Sequence, residues 1–550
     1  MRLALAQINT TIGDYDGNLA RIRAAVERAR DAGAEICVLP ELALCGYPPM
    51  DLLERHSFLE QQQRALDELT ALATDVAIVT GAVVPAPAGG RRPICNAAVA
   101  LVNGRVAHVQ AKTLLPAYDV FDESRHFEPA AARVLWEHGG RRIGLTICED
   151  VWSGAFWGDR RPYEVDPVAE LVEAGAELIL TVSASPWEQG KTLLREQMMT
   201  HASRTHGVPL VFVNLVGGND ELLFDGASSL CTADGRVASR LACFAEDFAV
   251  VDPFAADPAQ SAERLEEGVA QLESALVLGI RDYLHKLSME RAVIAVSGGI
   301  DSAVTAHLAA RALGPENVLG LLMPGPFSSE HSVTDAEELA RNLGIETRTV
   351  RIDAIYKAFL EQFQTLFGPR ESYGLTQENL QARVRGTLLM AVSNQENRIV
   401  LGTGNKSELS VGYTTLYGDL VGGLAVLGDV LKRDVNALAR FSNREGPRVP
   451  VNTIEKAPSA ELAPDQVDTD SLPPYPVLDE ILSQAIEQGV PASEIETPGT
   501  ADPETVRWVL RAVDQNEYKR RQAPLVLRVS GKAFGTGRRL PIVHRSGWGV

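Results

Sequence analysis

Two hydrophobic periods alternate along the first half of the chain. Runs that are apolar at every or every second position, such as RLALAQIN (2–9) and RRIGLTICED (141–150), are typical of buried or half-buried β-strands. Between them, NLARIRAAVERARDAG (18–33) places apolar residues three and four positions apart, which predicts an amphipathic helix that ends at Gly33. Strands that alternate with helices predict layered α/β structure.

The same patterns predict a second helix over about 58–73 and further strands over 35–42, 76–83, 95–102, 105–112, 176–185, 208–215 and 227–233. The strands over 95–102 and 105–112 are separated by Asn103-Gly104, a dipeptide that favours a tight hairpin turn. Because hairpins join antiparallel strands, the sheets of this half are not expected to be purely parallel.

The second half begins after PFAADPAQSAE (253–263), which has no hydrophobic period and predicts a linker. A helix over about 265–287 then precedes a strand, a glycine turn and a helix. Further buried strands are predicted over 317–324, 347–353 and 398–404. This order predicts a parallel, doubly wound sheet whose ligand site lies at the carboxyl ends of its strands. The Pro-rich residues 444–475 predict a loop.

The predicted domains are therefore 1–252 and 265–550, joined by a linker over 253–264, and 550 residues suffice for two separate cores. The chain has 52 Lys and Arg against 72 Asp and Glu, a net charge of −20. This charge argues against nucleic acid as the main partner, because phosphates are bound mainly by Lys and Arg. No apolar run approaches the length of a membrane helix, and the six cysteines form no CxxC pair. We therefore expect a cytoplasmic protein with no membrane partner.

The segment Ala295-Val296-Ser297-Gly298-Gly299-Ile300-Asp301-Ser302 leads from a predicted strand into a predicted helix. Its two glycines permit a tight turn, and the unpaired amides of a helix N-terminus favour a bound anion. Ser297 and Ser302 supply hydroxyl donors, and Asp301 is placed to hold Mg2+ beside a phosphate. No GxxxxGK[ST] motif is present, so a P-loop kinase or GTPase is not indicated. A helix cap without a ligand is the alternative explanation.

SGGxDS in this setting resembles the pyrophosphate-binding loop of the ATP-pyrophosphatase superfamily. The segments that further resemble the NAD+ synthetase family are 323–345, ENLQARVRG (378–386), LGTGNKSELSVGYTTLYGD (401–419) and EKAPSAEL (455–462). The resemblance implies that ATP, with Mg2+ as cofactor, adenylates a carboxylate and that a nitrogen nucleophile then displaces AMP.

This resemblance also implies roles for individual positions. The residues implied to contact ATP are the loop 295–302, Thr403, Lys432 and Ser459. Those implied to contact deamido-NAD+ are Asn379, Glu408 and Lys519, and Asp301 and Glu408 are implied to bind Mg2+. The ammonia-only family members have a lysine where this chain has Leu416, so that contact is in question here. Without the resemblance, a solvated helix face would be the better explanation of Glu408.

The end of the chain has an unusual charge. After Glu517 no acidic residue follows, whereas the basic residues are Lys519, Arg520, Arg521, Arg528, Lys532, Arg538, Arg539 and Arg545. A basic tail on an acidic protein is a candidate cover for phosphates. Beyond Arg521, a basic contact with another subunit or with an acidic partner surface explains the tail equally well.

Three polar residues end predicted strands in the first half: Glu41, Lys112 and Cys148. A thiol attacks an acyl group as the thiolate, so it needs a base to take its proton and a cation to stabilise developing charge. Glu41 and Lys112 are residue types suited to these two roles. Taken singly, each residue is better explained as structural, as a paired glutamate, a surface lysine or a buried cysteine.

The surroundings of this triple, PELALCGYPP, KTLLPAYDVFDESRHFEP and CEDVW, resemble the glutamine amidase branch of the nitrilase superfamily over about 1–250. The resemblance implies a four-layer αββα sandwich with Glu41 as general base, Lys112 as electrostatic catalyst and Cys148 as nucleophile. It implies that glutamine is bound by Tyr118, Ser185 and Lys191. The acidic loop 119–128 is either a contact for the α-amino group of glutamine or an ordinary solvated loop.

Together the two resemblances imply that Cys148 releases ammonia from L-glutamine and that a passage through the protein shields it on its way to adenylated deamido-NAD+. They also imply a homo-oligomer, a dimer or larger, because family active sites form at a subunit interface. Two other functions stay open: an amidotransferase of the same superfamily acting on another carboxylate or carbonyl, and a non-catalytic nucleotide sensor.

Overall fold

The computed structural model describes residues 1–160, 163–255, 262, 265, 267–497 and 502–548. The chain divides into two compact units, Met1–Glu267 and Gly268–Val550. Much of the predicted linker over 253–264 lies outside the described residues. Within the described ranges, the helices are all too short or too polar to cross a membrane.

The first unit places its strands and helices as follows. Its strands are β1 (Leu3–Gln7), β2 (Ile36–Val38), β3 (Ala77–Pro85), β4 (Ile94–Val102), β5 (Arg105–Ala111), β6 (Trp136–His138), β7 (Arg141–Ile147), β8 (Leu178–Ser183), β9 (Leu210–Asn214), β10 (Val216–Asn219), β11 (Leu222–Asp225), β12 (Ser229–Cys231), β13 (Val237–Arg240) and β14 (Asp247–Val251). Its helices are α1 (Tyr15–Asp31), α2 (His56–Leu72), α3 (Pro167–Glu173) and α4 (Lys191–His206).

Two main sheets form the centre of this unit, with strand orders β14-β1-β2-β3-β4-β5 and β13-β12-β9-β8-β7-β6. Both sheets are mixed. In the first, β1, β2 and β3 pair in parallel while β3, β4 and β5 pair antiparallel. In the second, β7, β8 and β9 pair in parallel, while β6 pairs antiparallel with β7 and β12 antiparallel with β9. The turn between β4 and β5 confirms the predicted hairpin, since Asn103 and Gly104 both have positive φ, 50° and 71°.

Alternate side chains of the strands face different layers. Leu3 and Leu5 of β1 pack with Leu145 of β7 between the two sheets. Ala4, which points the other way, belongs to the core formed with α1 and α2. On the far side, α3 and α4 cover the second sheet through residues such as Leu171. The four layers confirm the αββα sandwich that the nitrilase resemblance implies.

The second unit is organised around one parallel sheet. Its strands are β15 (Ala292–Ala295), β16 (Val318–Leu322), β17 (Glu346–Thr349), β18 (Ile399–Gly402), β19 (Leu424–Ala425) and β20 (Leu525–Val526). Its helices are α5 (Val269–Lys286), α6 (Ile300–Leu313), α7 (Glu330–Leu343), α8 (Asp353–Phe367), α9 (Leu375–Glu396), α10 (Lys406–Val411), α11 (Lys432–Ser442), α12 (Val451–Glu455), α13 (Tyr475–Leu482), α14 (Pro503–Gln515) and α15 (Glu517–Arg520).

The strand order of this sheet is β17-β16-β15-β18-β19-β20, and every neighbouring pair is parallel. α8 and α9 pack on one face through Tyr356 and Val384, and α6 packs against β15 together with α5 and α11. This confirms the predicted doubly wound sheet. The chain order reverses between β15 and β18, which opens a crevice at their carboxyl ends.

Two predicted boundaries are wrong. β2 is much shorter than the predicted strand 35–42, because Pro40 has no amide to donate and Leu42 adopts a φ of 46°, so Glu41 lies in the loop after the strand. The predicted loop 444–475 contains the short helix α12 and a helical turn, Asp468–Asp470. Here side chains order the backbone, since the Asp470 carboxylate accepts the amide of Val467 at 2.9 Å.

Candidate active sites

The structure brings Glu41, Lys112 and Cys148 together, all three buried, at one end of the αββα sandwich. Lys112 Nζ donates to Glu41 Oε1 at 2.9 Å. The other Glu41 oxygen accepts the amide of Ala184 at 2.8 Å, and Asn96 Nδ2 donates to Oε1 at 2.7 Å. These bonds hold the carboxylate in one orientation beside the lysine.

Cys148 directly follows β7 and has a φ of 41°, in the left-handed region that residues other than glycine rarely adopt. Asp150 fixes this turn, because its carboxylate accepts the amides of Ile147 at 3.0 Å and Leu114 at 2.8 Å. Burial raises the pKa of the Cys148 thiol well above its ordinary value, the Glu41 carboxylate adds to this shift, and Lys112 opposes it. The resting thiol is therefore protonated.

Glu123 is a fourth buried group at this site, which its position in a polar loop did not predict. Its Oε1 accepts Lys112 Nζ at 2.7 Å and the Tyr47 hydroxyl at 2.8 Å. Burial raises the pKa of Glu123 to about 7, against the opposing effect of Lys112. Burial alone would lower the pKa of Lys112, but Glu123 and Glu41 hold it well above its usual value, so the lysine stays charged. Glu123, in the acidic loop 119–128, therefore faces Lys112.

Tyr118 and Lys191 both lie beside the turn that carries Cys148. The Tyr118 hydroxyl donates to Glu149 Oε1 at 2.8 Å. Lys191 begins α4, and its Nζ lies 5.5 Å from the centre of the Trp152 ring. Glu149 and Trp152 are close neighbours of Cys148 in the chain, so both predicted glutamine contacts are near the thiol.

Ser185 follows the carboxyl end of β8, which pairs in parallel with β7. Its amide donates to Asn214 Oδ1 at 2.9 Å, and Asn214 Nδ2 donates to Asp225 Oδ1 at 3.2 Å. Because β7 and β8 end at the same edge, Ser185 lies on the same side of the sheet as Cys148.

A cavity of about 670 Å³ lies at the carboxyl ends of the strands in the second unit. All the residues predicted for this site line it except Gly298. Gly298 has a φ of 81°, and a Cβ there would lie 2.2 Å from the carbonyl oxygen of Ser332, so the position needs glycine. Gly299 differs from Gly298, because its φ of −79° is one that residues other than glycine also adopt. The Ser302 hydroxyl donates to the Gly299 carbonyl at 2.9 Å and closes the loop.

Asp301 and Glu408 converge on the ammonium of Lys432. Lys432 Nζ lies 2.5 Å from Asp301 Oδ2 and 3.5 Å from Glu408 Oε1. Burial and the Asp301 charge raise the pKa of Glu408 to about 8, against the effect of Lys432. Carboxylate oxygens that face one cation are the ligands Mg2+ prefers, so this donor set fits the ion.

Asn405, which was not predicted, links the Asp301 carboxylate to the backbone of Glu408. It is the N-cap of α10, and its Oδ1 accepts the amide of Glu408 at 3.0 Å. Its Nδ2 donates to Asp301 Oδ1 at 2.9 Å. Asparagine is one of the residues preferred at a helix N-cap, so its place at the start of α10 is the only sequence signal for Asn405.

Asn379 and Lys519 hold one segment of the cavity wall. Asn379 Oδ1 accepts the Thr415 hydroxyl at 2.7 Å, and Lys519 Nζ donates to the carbonyls of Gly412 at 2.7 Å and Thr414 at 2.8 Å. Burial lowers the pKa of Lys519. These residues therefore shape the site as well as line it.

Thr403 follows β18, next to the loop after β15, whereas Ser459 is exposed and donates its hydroxyl to the Gln466 carbonyl. Leu416 is the position at which the lysine contact is in question. Its backbone carbonyl accepts Arg383 Nε at 3.1 Å. A guanidinium from α9 thus holds the backbone at this position, which sequence reasoning missed.

The basic tail is a predicted cover for phosphates, but three of its arginines contact an acidic residue of this chain. Arg520 Nη2 and Arg538 Nη1 lie 3.0 and 3.1 Å from Glu517 Oε2, and Arg521 Nε lies 3.0 Å from Glu517 Oε1. These three arginines are engaged with one carboxylate. Of the described basic tail residues, Lys519 is the one that lines the cavity.

Residues 2–253 match the carbon-nitrogen hydrolase family, and residues 272–523 match the NAD synthase family. The first match falls on the αββα sandwich and the second on the doubly wound unit. The chain is thus a nitrilase-type amidase fused to an NAD synthase domain.

Relatives extend this match over the whole chain. A glutamine-dependent NAD(+) synthetase of Synechocystis sp. is 45% identical over 98% of both chains. That of Thermotoga maritima is 39% identical over 99% of both. The solved structure of the Acinetobacter baumannii glutamine-dependent NAD+ synthetase in complex with ADP is similar, with a TM-score of 0.77 and 37% identity over 98% of both chains. The chain belongs to the family of glutamine-dependent NAD(+) synthetases, which confirms both resemblances and disfavours the two alternatives.

Proposed function

We propose that the first unit hydrolyses L-glutamine with Cys148 as nucleophile, Glu41 as general base and Lys112 as electrostatic catalyst. The observation that carries this proposal is the buried Lys112–Glu41 pair, 2.9 Å apart, whose charges act on the Cys148 thiol. Because burial keeps the thiol protonated, Glu41 accepts its proton as Sγ attacks the side-chain amide carbon.

The remaining steps follow from the same three groups. Lys112 stabilises the negative oxygen of the tetrahedral intermediate, and Glu41 returns the proton to the leaving nitrogen, which departs as ammonia. Water then attacks the thioester, Glu41 accepts its proton, and glutamate and the free thiol are formed. Tyr118, Ser185 and Lys191 are proposed to hold the amino acid, supported by their places around the Cys148 turn.

In the second unit, we propose that ATP occupies the cavity of about 670 Å³. The loop 295–302 lies at the N-terminus of α6, where unpaired amides and the helix dipole favour phosphate. Thr403, Lys432 and Ser459 are proposed as further ATP contacts, and Asn379, Glu408 and Lys519 as contacts of deamido-NAD+. All of them line this cavity.

Asp301 and Glu408 would hold Mg2+, because their carboxylates already face a common cation. When bound, the ion supplies positive charge that stabilises the phosphates of ATP during displacement. The nicotinate carboxylate of deamido-NAD+ attacks the α-phosphorus of ATP and pyrophosphate leaves. Ammonia then attacks the activated acyl carbon, AMP leaves, and NAD+ is formed.

We further propose that ammonia reaches the second site through a passage shielded from solvent, because protonation would destroy its nucleophilicity. We propose functional domains of 1–252 and 265–550 joined by a linker over 253–264, a division that the family matches at 2–253 and 272–523 support. The exposed apolar side chains of Phe359 and Leu366 on α8 support a homo-oligomer, a dimer or larger.

A cytoplasmic location is proposed because all six cysteines are free thiols, as in a reducing compartment. A light-scattering mass tests the oligomer.

The reaction itself is tested with the full-length protein, ATP, Mg2+, glutamine and deamido-NAD+. We expect equal amounts of NAD+, AMP and pyrophosphate, and release of ADP instead of AMP would contradict adenylation.

A further inference from the structure

Lys432 occupies the place at which the two carboxylates converge. Its side chain is 2% exposed, with Nζ 2.5 Å from Asp301 Oδ2 and 3.5 Å from Glu408 Oε1. The ring centre of Tyr475 lies 5.0 Å from the same nitrogen. A protein cation thus already balances part of the charge of the donor set that suits a divalent ion.

The backbone of Lys432 is fixed, whereas its side chain can turn. Lys432 is the first residue of α11, and its amide donates to Ser407 Oγ at 3.0 Å, which ties it to α10 beside Glu408. The four-carbon stem of a lysine carries a compact charge that rotates between partners. The ammonium can therefore leave the carboxylates without movement of either helix.

We propose that Lys432 is an internal counter-ion that competes with the divalent cation for Asp301 and Glu408, and that it couples binding of the metal to binding of the nucleotide. This inference rests on the metal role proposed above for the two carboxylates. A metal ion and an ammonium repel each other strongly at contact distance, so the metal enters only if the ammonium turns away.

The nucleotide supplies the group that receives the displaced ammonium. The loop 295–302, which is proposed to bind phosphate, contains Asp301 itself, so phosphate oxygens come within reach of the same lysine. With phosphate present, Lys432 exchanges one anion for another and the carboxylates are released to the metal. Without nucleotide, the lysine holds them and the metal binds weakly.

The test measures Mn2+ binding to the full-length, nucleotide-free protein by electron paramagnetic resonance of the free ion. We expect Lys432→Met to bind Mn2+ more tightly than the wild type, by a factor within about 5 to 150, the usual range for coupled sites. Lys456→Met is the matched control, because Lys456 lines the same cavity but pairs with Asp335 at 2.9 Å. Its Mn2+ affinity should equal that of the wild type.

Two further variants separate this inference from the metal assignment. If Lys432→Met and wild type bind Mn2+ equally while Glu408→Gln weakens both, the metal site holds and the counter-ion role is overturned. If Asp301→Asn and Glu408→Gln leave Mn2+ binding to the Lys432→Met protein unchanged, the proposed metal site itself is overturned. Circular dichroism checks folding, and Lys432→Gln, which keeps a hydrogen-bond donor without the charge, gives the same comparison if Lys432→Met does not fold.

Discussion

The ammonium of Lys112 lies closer to Glu123 than to Glu41, with Nζ–Oε1 distances of 2.7 and 2.9 Å. Glu123 thus helps to hold the charge and the position of the lysine that faces the Cys148 thiol. We expect Glu123→Gln to slow glutamate release from glutamine by about a hundredfold, because the Lys112 charge is then misplaced relative to the developing oxyanion. Synthesis with ammonium should be unaffected.

The matched control for that change is Glu128→Gln. Glu128 belongs to the same loop, but its Oε2 accepts the amides of Arg91 and Arg92 at 2.9 Å and does not bond to Lys112. If both variants release glutamate at the wild-type rate, Glu123 has no part in positioning Lys112.

The separation of the two activities is tested by Cys148→Ala. No thioester forms without the thiol, so glutamine should no longer support NAD+ formation. The lining of the second cavity is unchanged, and ammonium, supplied at a pH at which enough neutral NH3 is present, should restore NAD+ formation to the wild-type ammonium rate. A folded variant that fails with both nitrogen sources would contradict the assignment of the two activities to separate sites.

The metal assignment is tested by Asp301→Asn, which removes one charge from the proposed donor set. We expect NAD+ formation to fall by at least about a hundredfold with either nitrogen source, because the phosphates lose the charge that stabilises their displacement. Glutaminase chemistry uses no metal, and the residual glutamate release, measured in the same samples, should persist. Near-normal synthesis would refute the role of Asp301.

Glu273 gives a prediction about stability and pH. It is buried on α5 and contacts His307, Arg311 and Arg444. Burial alone would raise its pKa, but these hydrogen bonds lower it from 4.5 to about 2. A carboxylate with a lowered pKa stabilises the fold above its unfolded pKa, and this stability is lost as the pH falls.

We therefore expect Glu273→Gln to reduce the free energy of unfolding by about 1–3 kcal/mol at pH 7, a range that allows for solvent screening of the half-exposed arginines. Urea unfolding should show this difference unchanged down to about pH 4.5 and shrinking below that value. The control is Glu290→Gln, because Glu290 is an exposed carboxylate, whereas Glu273 is buried among cationic side chains. A difference that persists undiminished below pH 4 would contradict the ionic origin of the stability.

Much of the fold could be predicted because the signals are local. β7 and β8 are continuous apolar runs, and Asn103-Gly104 defines the β4–β5 hairpin by its backbone preference alone. Two signals together predict the first site. Predicted strands end at Glu41, Lys112 and Cys148, and the segments around these residues resemble the nitrilase superfamily. Boundaries are harder to predict, since the end of β2 depends on the loop around Glu41 rather than on hydrophobicity.

Glu123 and Asn405 could not be predicted in the same way. Each lies in a polar stretch where a solvated side chain is the ordinary expectation. Glu123 is buried only because Lys112 and Tyr47 meet it from other parts of the chain, 2.7 and 2.8 Å away. Asn405 matters because Asp301, from a different strand–helix junction, comes within 2.9 Å. Contacts between distant segments are fixed by tertiary packing, which no local pattern encodes.

The two bonds of Asn405 have a consequence for how changes in the second unit combine. The Asn405 side chain holds both the Asp301 carboxylate and the backbone amide of Glu408, so the positions of these two residues are coupled through one side chain. Effects of substitutions at these three positions should not add, because the first change already releases what the second would disturb. The three positions therefore act as one structural unit, and we expect that a replacement tolerated at one of them depends on the residues that the chain carries at the other two.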